Sequence, residues 1–301
     1  MSESERRPGS LGPIACVTVT VPDLDVTAAI YSEYLGYRAA GQGLVGGELA
    51  DLWGCEAVAD SRYLLLSPAA GDNCILRFVE AERSVPYVPF STYGWNAAEL
   101  MVQNVDEMAD RLANSPFEII GAPANLSFTD DIRAMQILGP GKELLYLTEF
   151  KKAIPGFDTP VARCPVDVVF IVILGGPSMS GLQAFYAEHF GVPGATPVES
   201  RVKGMSAAFG NSPEHKYPIA ALPLAGQALI EVDEMPAQAT ARENITGCLP
   251  PGIAMVSFVG RGLAKSGARE VVRGEPPYKN AMRVTCQRGV AGELVEVIHL
   301  D

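Results

Sequence analysis

Histidine is scarce in this chain: 301 residues hold three, His189, His215 and His299. Imidazole is the commonest side chain in catalytic first-row metal sites, so a centre built on several histidines is not the expected one. Paired cysteines are missing too. Cys16, Cys55, Cys74, Cys164, Cys248 and Cys286 are scattered without a CxxC, so neither a zinc knuckle nor a disulfide framework is indicated, and a reducing cytoplasm is the expected compartment. Basic residues are outnumbered, 23 Lys and Arg against 35 Asp and Glu, for a net charge of −12. Nucleic acid and anionic membrane both need a basic face, so neither is an expected partner. No apolar run reaches membrane-spanning length, and MSESERRPGSLGP carries no apolar stretch of signal-peptide type; residues 1–12 read as a flexible arm.

What is present suffices for a folded protein: 48% hydrophobic and 19% charged residues exclude disorder, and the length allows one large domain or two ordinary ones. A fourfold internal repeat organises the chain. NCILRFVE (73–80), KELLYLTE (142–149), QALIEVDE (227–234) and GELVEVIH (292–299) are one strand type, and superposing them aligns Arg77, Tyr146, Glu231 and Glu296. Each repeat opens with an apolar strand: ACVTVTV (15–21), NAAELMV (96–102), VDVVFIVI (166–173) and GIAMVSFV (252–259). Helical spacing follows in VTAAIYSEYLGY, VDEMADRLANSPF and MSGLQAFYAEHFGV, with a shorter stretch, RGLAKSGARE, in the fourth copy. Turn-separated β-rich segments complete each copy. One strand, one helix and three strands is the unit, and the absence of GxGxxG after the first strand excludes a dinucleotide fold. The widest gap between copies falls at KKAIPGFDTPVARCP (151–165), whose prolines suit a linker. It separates an N-terminal pair of units (13–150) from a C-terminal pair (166–301).

VTVTVPDLDVTAAIYSEYLGYRA closely resembles the opening of vicinal-oxygen-chelate modules, the glyoxalase, bleomycin-resistance and extradiol dioxygenase class. FYAEHFG repeats the helix signature, and GPGKELLYLTE and GELVEVIHL resemble the class's terminal strand. The resemblance covers nearly all of residues 13–301. It implies an α+β fold: four βαβββ modules paired into two curled mixed-sheet cups, each concave face a ligand site. Metal-dependent members of the class take ligands from the opening strands, usually His, and from the terminal strands, usually Glu. Carried over, those positions are Cys16, Ala97, Val168 and Ala254, then Arg77, Tyr146, Glu231 and Glu296. Consecutive pairing places Cys16, Arg77, Ala97 and Tyr146 in an N-terminal cup, and Val168, Glu231, Ala254 and Glu296 in a C-terminal one. No cofactor is expected. A divalent metal held by Glu231 and Glu296 is the alternative.

Alternation along the strands adds Thr18 and Glu99 to the N-terminal cup. Glu99 is the candidate general base, Arg77 the group to bind a carboxylate or steady an oxyanion, Tyr146 a proton donor, and Cys16 the fourth catalytic candidate. VPYVPFSTYGW (85–95) places Tyr87, Phe90, Tyr93 and Trp95 in a Pro- and Gly-interleaved loop, a candidate roof over a flat ligand, with Thr18 as a further substrate contact. An Arg77–Glu99 ion pair, a core Tyr146 and aromatics packed between modules are the structural alternatives. The expected function is metal-independent acid–base catalysis, of lyase or isomerase type, on a carbonyl- or carboxylate-bearing aromatic compound. The alternatives are a non-catalytic, drug-sequestering binder and a metal-dependent extradiol dioxygenase. A homodimer is compatible with the class.

Overall fold

The computed structural model describes residues 9–71, 74–81, 86–126, 129–154, 158–243, 245–263 and 276–300. Copy one comprises β1 (Ser10–Val21), α1 (Leu24–Leu35), β2 (Arg38–Leu44), a short α2 (Gly47–Leu52), β3 (Arg62–Ser67) and β4 (Ile75–Glu80). Copy two is β5 (Gly94–Val102), α3 (Val105–Leu112), β6 (Glu118–Leu126), β7 (Thr129–Leu138) and β8 (Leu144–Phe150). Copy three is β9 (Val166–Gly176), α4 (Met179–Phe190), β10 (Val198–Arg201), α5 (Lys203–Phe209), β11 (Lys216–Pro223) and β12 (Leu229–Glu234). Copy four supplies β13 (Ile253–Arg261), β14 (Arg283–Arg288) and β15 (Leu294–His299). Its expected helix lies almost wholly outside the described residues.

Local chemistry sets the helix ends. Asp23, Asn104 and Ser178 each accept a backbone N–H of the first turn of α1, α3 and α4, satisfying a donor that has no partner within the helix. Gly36 and Gly191 then stop α1 and α4 at φ of 71° and 66°, a left-handed turn that a Cβ would strain.

The strands form two mixed sheets, ordered β14-β15-β13-β1-β4-β3-β2 and β10-β11-β12-β9-β5-β8-β7-β6. The architecture is thus the expected α+β arrangement in two mixed sheets, with a βαβββ order in copies one to three and three strands of copy four among the described residues, but the pairing differs. Copy one shares its sheet with copy four through antiparallel β1 and β13, and copy two shares its sheet with copy three through β5 and β9. Neither cup is built from consecutive copies. Every copy offers an equivalent opening-strand edge, so strand pattern alone does not select the partner. Residues 10–12 of the expected arm belong instead to β1, where Ser10 and Leu11 pair with Arg261 and Gly260 and Leu11 is buried, and residues 1–8 lie outside the described residues.

Consecutive copies are joined instead by a tyrosine. Tyr31 on α1 donates to Glu143 Oε1 at 2.6 Å, and Tyr186 on α4 donates to Glu293 Oε1 at 3.3 Å. Both carboxylates lie beneath a glycine turn: an ideal Cβ on Gly139 or Gly289 would stand 2.0 or 1.9 Å from them. The helix signature and the turn before the terminal strand, which carry the family resemblance, are therefore two halves of one contact. Helices α1, α3 and α4 pack with the outer faces of both sheets in a single core.

Candidate functional site

Strand register decides which side chains face each cup. In the first cup, Thr18 lies beside Arg77 across β1 and β4, and Ser257 beside Glu296 across β13 and β15. In the second, Glu99 lies beside Tyr146 across β5 and β8, and Ile173 beside Glu231 across β9 and β12. The two cups are equivalent by repeat. Arg77, Tyr146, Glu231 and Glu296 hold one strand position, and Thr18, Glu99, Ile173 and Ser257 hold the position beside it.

The expected convergence of Cys16, Thr18, Arg77, Glu99 and Tyr146 does not occur. Cys16, Thr18 and Arg77 belong to the first cup, Glu99 and Tyr146 to the second, and Glu231 and Glu296 are likewise apart. Two opening-strand positions also shift. Ile171 and Met255, not Val168 and Ala254, align with Cys16 and Ala97, because β-bulges in the β1–β13 and β5–β9 ladders displace the count.

The first cup is filled. Arg77 and Glu296 are 2% and 0% exposed and form an ion pair at 3.4 Å. Arg77 Nε donates to Thr18 at 2.9 Å, its Nη1 donates to the Tyr278 hydroxyl at 2.6 Å, and the guanidinium lies 4.5 Å over the Trp53 ring. Glu296 also accepts from Trp53 at 2.8 Å, Tyr278 at 2.8 Å and Ser257 at 2.5 Å. Such a pair is retained in a dry interior only with its other hydrogen-bonding capacity satisfied, as here. The α2 segment seals it, with Ala50, Trp53, Cys55 and Val58 packed on Met255 and Leu294. Arg77 is therefore structural rather than a receptor for substrate carboxylate. Cys16 is fully buried and its thiol is pushed up to about 11 by that burial, so it is no nucleophile.

Of the aromatic loop, Phe90 is buried in the inner cluster of the second cup with Tyr93 packed against it, while Trp95 and Tyr87 pack elsewhere. Trp95 is buried between the sheets, its indole donating to the Leu294 carbonyl at 2.8 Å. Phe90 is fully buried beside Gly204, and Tyr87 lies under Arg242, whose guanidinium is 4.6 Å from its ring. Tyr93 is half-buried on the core. Arg242 borders a cavity of about 150 Å³, but its guanidinium donates to the carbonyls of Trp95, Pro251 and Ile253, to Thr92 and to Asn96. It clips loops and has no donor left for a ligand.

The second cup is less closely sealed than the first. Its inner face carries Ala97, Ile173, Met205 and Tyr217 at the floor, with half-buried Ile171, Ile219 and Phe209 above them. Glu99, Tyr146 and Glu231 are half-buried on the same surface, and Ala221, opposite Glu231, is exposed at the mouth. Asp233, two residues beyond Glu231 on the same face, is fully buried, and neither of its carboxyl oxygens has a hydrogen-bond partner among the described residues. Sequence reasoning passed over Asp233, although its alternation with Glu231 marked it.

Burial pushes Glu99 up to about 8, with the charge of Glu231 adding to the rise and the 3.0 Å hydrogen bond from Thr148 opposing it. Glu231 is pushed up to about 7 by burial. Asp233 is held well above the carboxylate range by burial and then by the charges of Glu231 and Glu99. Desolvation lifts the Tyr146 hydroxyl too. No ion pair to Lys, Arg or His reaches these three carboxyls among the described residues.

No protein-family model and no curated protein matches the sequence. Solved structures do. Glyoxalase I from Zea mays superposes with a TM-score of 0.62 at 15% identity, covering 97% of this chain and 93% of that one. A putative dioxygenase from Bacillus subtilis subsp. subtilis str. 168 gives 0.60 at 13% identity, covering 97% and 86%. The chain has the vicinal-oxygen-chelate fold. Identities this low carry the fold and not the chemistry.

The metal that many proteins of the vicinal-oxygen-chelate fold use does not fit these residues. Ala97 and Ile171 offer no ligand atom where the opening strands would supply one, Met255 offers only a soft thioether, and Cys16 is a buried thiol pushed up to about 11. In the first cup a guanidinium lies against the one carboxylate at a ligand position. In the second, Tyr146 takes one of the two terminal-strand positions. Among the described residues no three His, Cys, Asp or Glu side chains are grouped to hold an ion. The three histidines lie elsewhere: His189 and His215 are exposed, and His299 is buried against Thr285.

Proposed function

We propose that this vicinal-oxygen-chelate protein binds a small molecule in its second cup and transforms it by proton transfer, as a lyase or isomerase. The observation that carries this reading is the pair Glu99 and Glu231, half-buried on an apolar inner face without a cationic partner among the described residues, where burial pushes them up to about 8 and about 7. A general acid or base is most effective when its pKa lies near the working pH, and with Glu231 ionised the rise at Glu99 favours its protonated form. An ionised carboxylate takes a proton from the carbon beside a carbonyl, leaving its electron pair as an enolate. The protonated partner, or the Tyr146 hydroxyl, donates a hydrogen bond to the enolate oxygen. Return of the proton to a different carbon completes an isomerisation, and loss of a β-leaving group completes an elimination. A carboxylate-bearing substrate is not favoured, because Arg77, the cation assigned to hold it, is engaged with Glu296.

The test is solvent deuterium entering carbon positions next to carbonyl groups, followed by NMR over a panel of aryl ketones and aldehydes. Wild type should catalyse exchange on at least one compound, and Glu99→Gln should slow it about a hundredfold or more with binding kept. Binding without exchange across the panel would favour the second reading, a non-catalytic binder. That reading is supported by the apolar lining of the same cup.

A further inference from the structure

The two cups repeat one geometry with one exchange. In the first, the terminal-strand carboxylate, Glu296, is neutralised internally by Arg77, whose guanidinium also lies over the Trp53 ring. In the second, the two terminal-strand positions hold Glu231 and Tyr146, and carboxyls are added at Glu99 and Asp233. Half-buried Phe209, which ends the short helix of copy three as Trp53 follows that of copy one, lies on the inner surface of the second cup. The second cup thus has carboxyls and an aromatic ring on its inner surface and, among the described residues, no ion-paired cation.

Asp233 supports this independently. A carboxyl buried with both oxygens unpartnered costs several kcal/mol unless it is protonated or met by a donor. It shares the cup face with Glu231, and its strand partner Ile219 packs in the same inner cluster as Tyr146. The other hydroxyls on this surface do not reach it: Thr148 bonds Glu99, and the Tyr217 hydroxyl is occupied by Ser206 and Asn211.

We propose that the second cup takes an organic cation, an ammonium or amidinium group on an aromatic or aliphatic body, seated at the carboxyls of Glu231, Glu99 and Asp233. This names the ligand class of the site under the preceding reading and rests on that reading. The cation replaces the missing internal partner of Glu231 and lets Glu99 and Asp233 ionise, while the apolar body lies along Ile171, Ile219 and Phe209. An anionic ligand would add to the negative charge already there.

Benzamidine and benzoate, near-isosteres of opposite charge, make the test, with binding to the full chain followed by calorimetry. Benzamidine should bind and benzoate should not. Binding measured in buffers of different ionisation enthalpy should release protons at pH 7, since the cation lowers raised carboxyl pKa values. Glu231→Gln and Asp233→Asn should each weaken benzamidine by about tenfold or more. Tyr146→Arg, which supplies an internal cation, should abolish its binding. Glu199→Gln, on an exposed strand edge, should change nothing. Benzoate binding at least as tightly as benzamidine, and weakened by substitution of Tyr146, would overturn the cationic class while leaving the cup as the ligand site. Failure of both probes to bind at 10 mM (on the order of the weakest millimolar affinities) would overturn the class and the site together.

Discussion

Glu231 and Glu296 hold the same place in two copies of one strand, yet Glu296 meets four donors and Glu231 none among the described residues. The difference predicts opposite responses to substitution. Arg77→Met leaves a buried carboxylate without its counter-charge and should cost about 3–5 kcal/mol in a urea melt. Arg77→Met combined with Glu296→Leu should recover much of that loss, because no buried charge remains. Glu231→Gln should not destabilise. Protonation adds a second prediction. Glu99, Glu231 and Asp233 have folded pKa values raised above those of the unfolded chain, so the folded state binds more protons between the ordinary carboxylate range and about pH 8. Stability is therefore greatest below that range and falls as pH rises through it, by up to about 1.4 kcal/mol per pH unit for each group. Unfolding free energies at pH 5.5 and 8.5 should show the decline, and Glu99→Gln should make it shallower. A profile unchanged by that substitution would show that Glu99 titrates normally.

At the scale of elements, the contact between α1 or α4 and the glycine turn predicts a matched pair of effects. Tyr31→Phe removes a 2.6 Å hydrogen bond to a buried carboxyl and should cost about 1.5–3 kcal/mol, whereas Tyr186→Phe, at 3.3 Å, should cost less. Gly139→Ala should be at least as damaging, since the added carbon would collide with Glu143. Thermal melts of the three variants give the order directly. These same elements made the fold legible. The helix signature around Tyr31 and Tyr186, and the strands ending at Glu80, Glu149, Glu234 and His299, recur in the sequence because each repeat solves one packing problem. The site was less legible, for two physical reasons. A β-bulge moves later residues to the other face without leaving a mark in composition, which is how Val168 was placed where Ile171 belongs. The edges of β1, β5, β9 and β13 are equally able to pair, so grouping Arg77 with Glu99 followed chain order when the sheets do not. The role of Glu99 as an inward carboxyl was readable from alternation alone. Its partners were not.

On the scale of the whole molecule, sheets join copies one to four and two to three, while tyrosines join one to two and three to four. Each half of the sequence then owns half of each sheet. Residues 1–150 expressed alone would expose the apolar edges of β1 and β5, and residues 158–301 those of β9 and β13. Each fragment should aggregate or self-associate, and co-expression should recover one soluble 1:1 complex, checked by size-exclusion chromatography. Independent, monomeric folding of either fragment would contradict the sheet order.

β13 lies between β1 and β15, with Arg261 opposite Ser10 and Gly260 opposite His299. Residues 10 and 299 are thus only two strand spacings apart, about 10 Å. The four units form a ring that happens to be cut between the fourth and the first. Reopening it within 151–165 and bridging the old ends with a few residues would give a circular permutant in the order three, four, one, two. The units of the first cup would then be neighbours in the chain, their shared sheet closing over a short loop. Because loop closure delays pairing between distant segments, that permutant should fold faster than the parent while keeping its second cup intact.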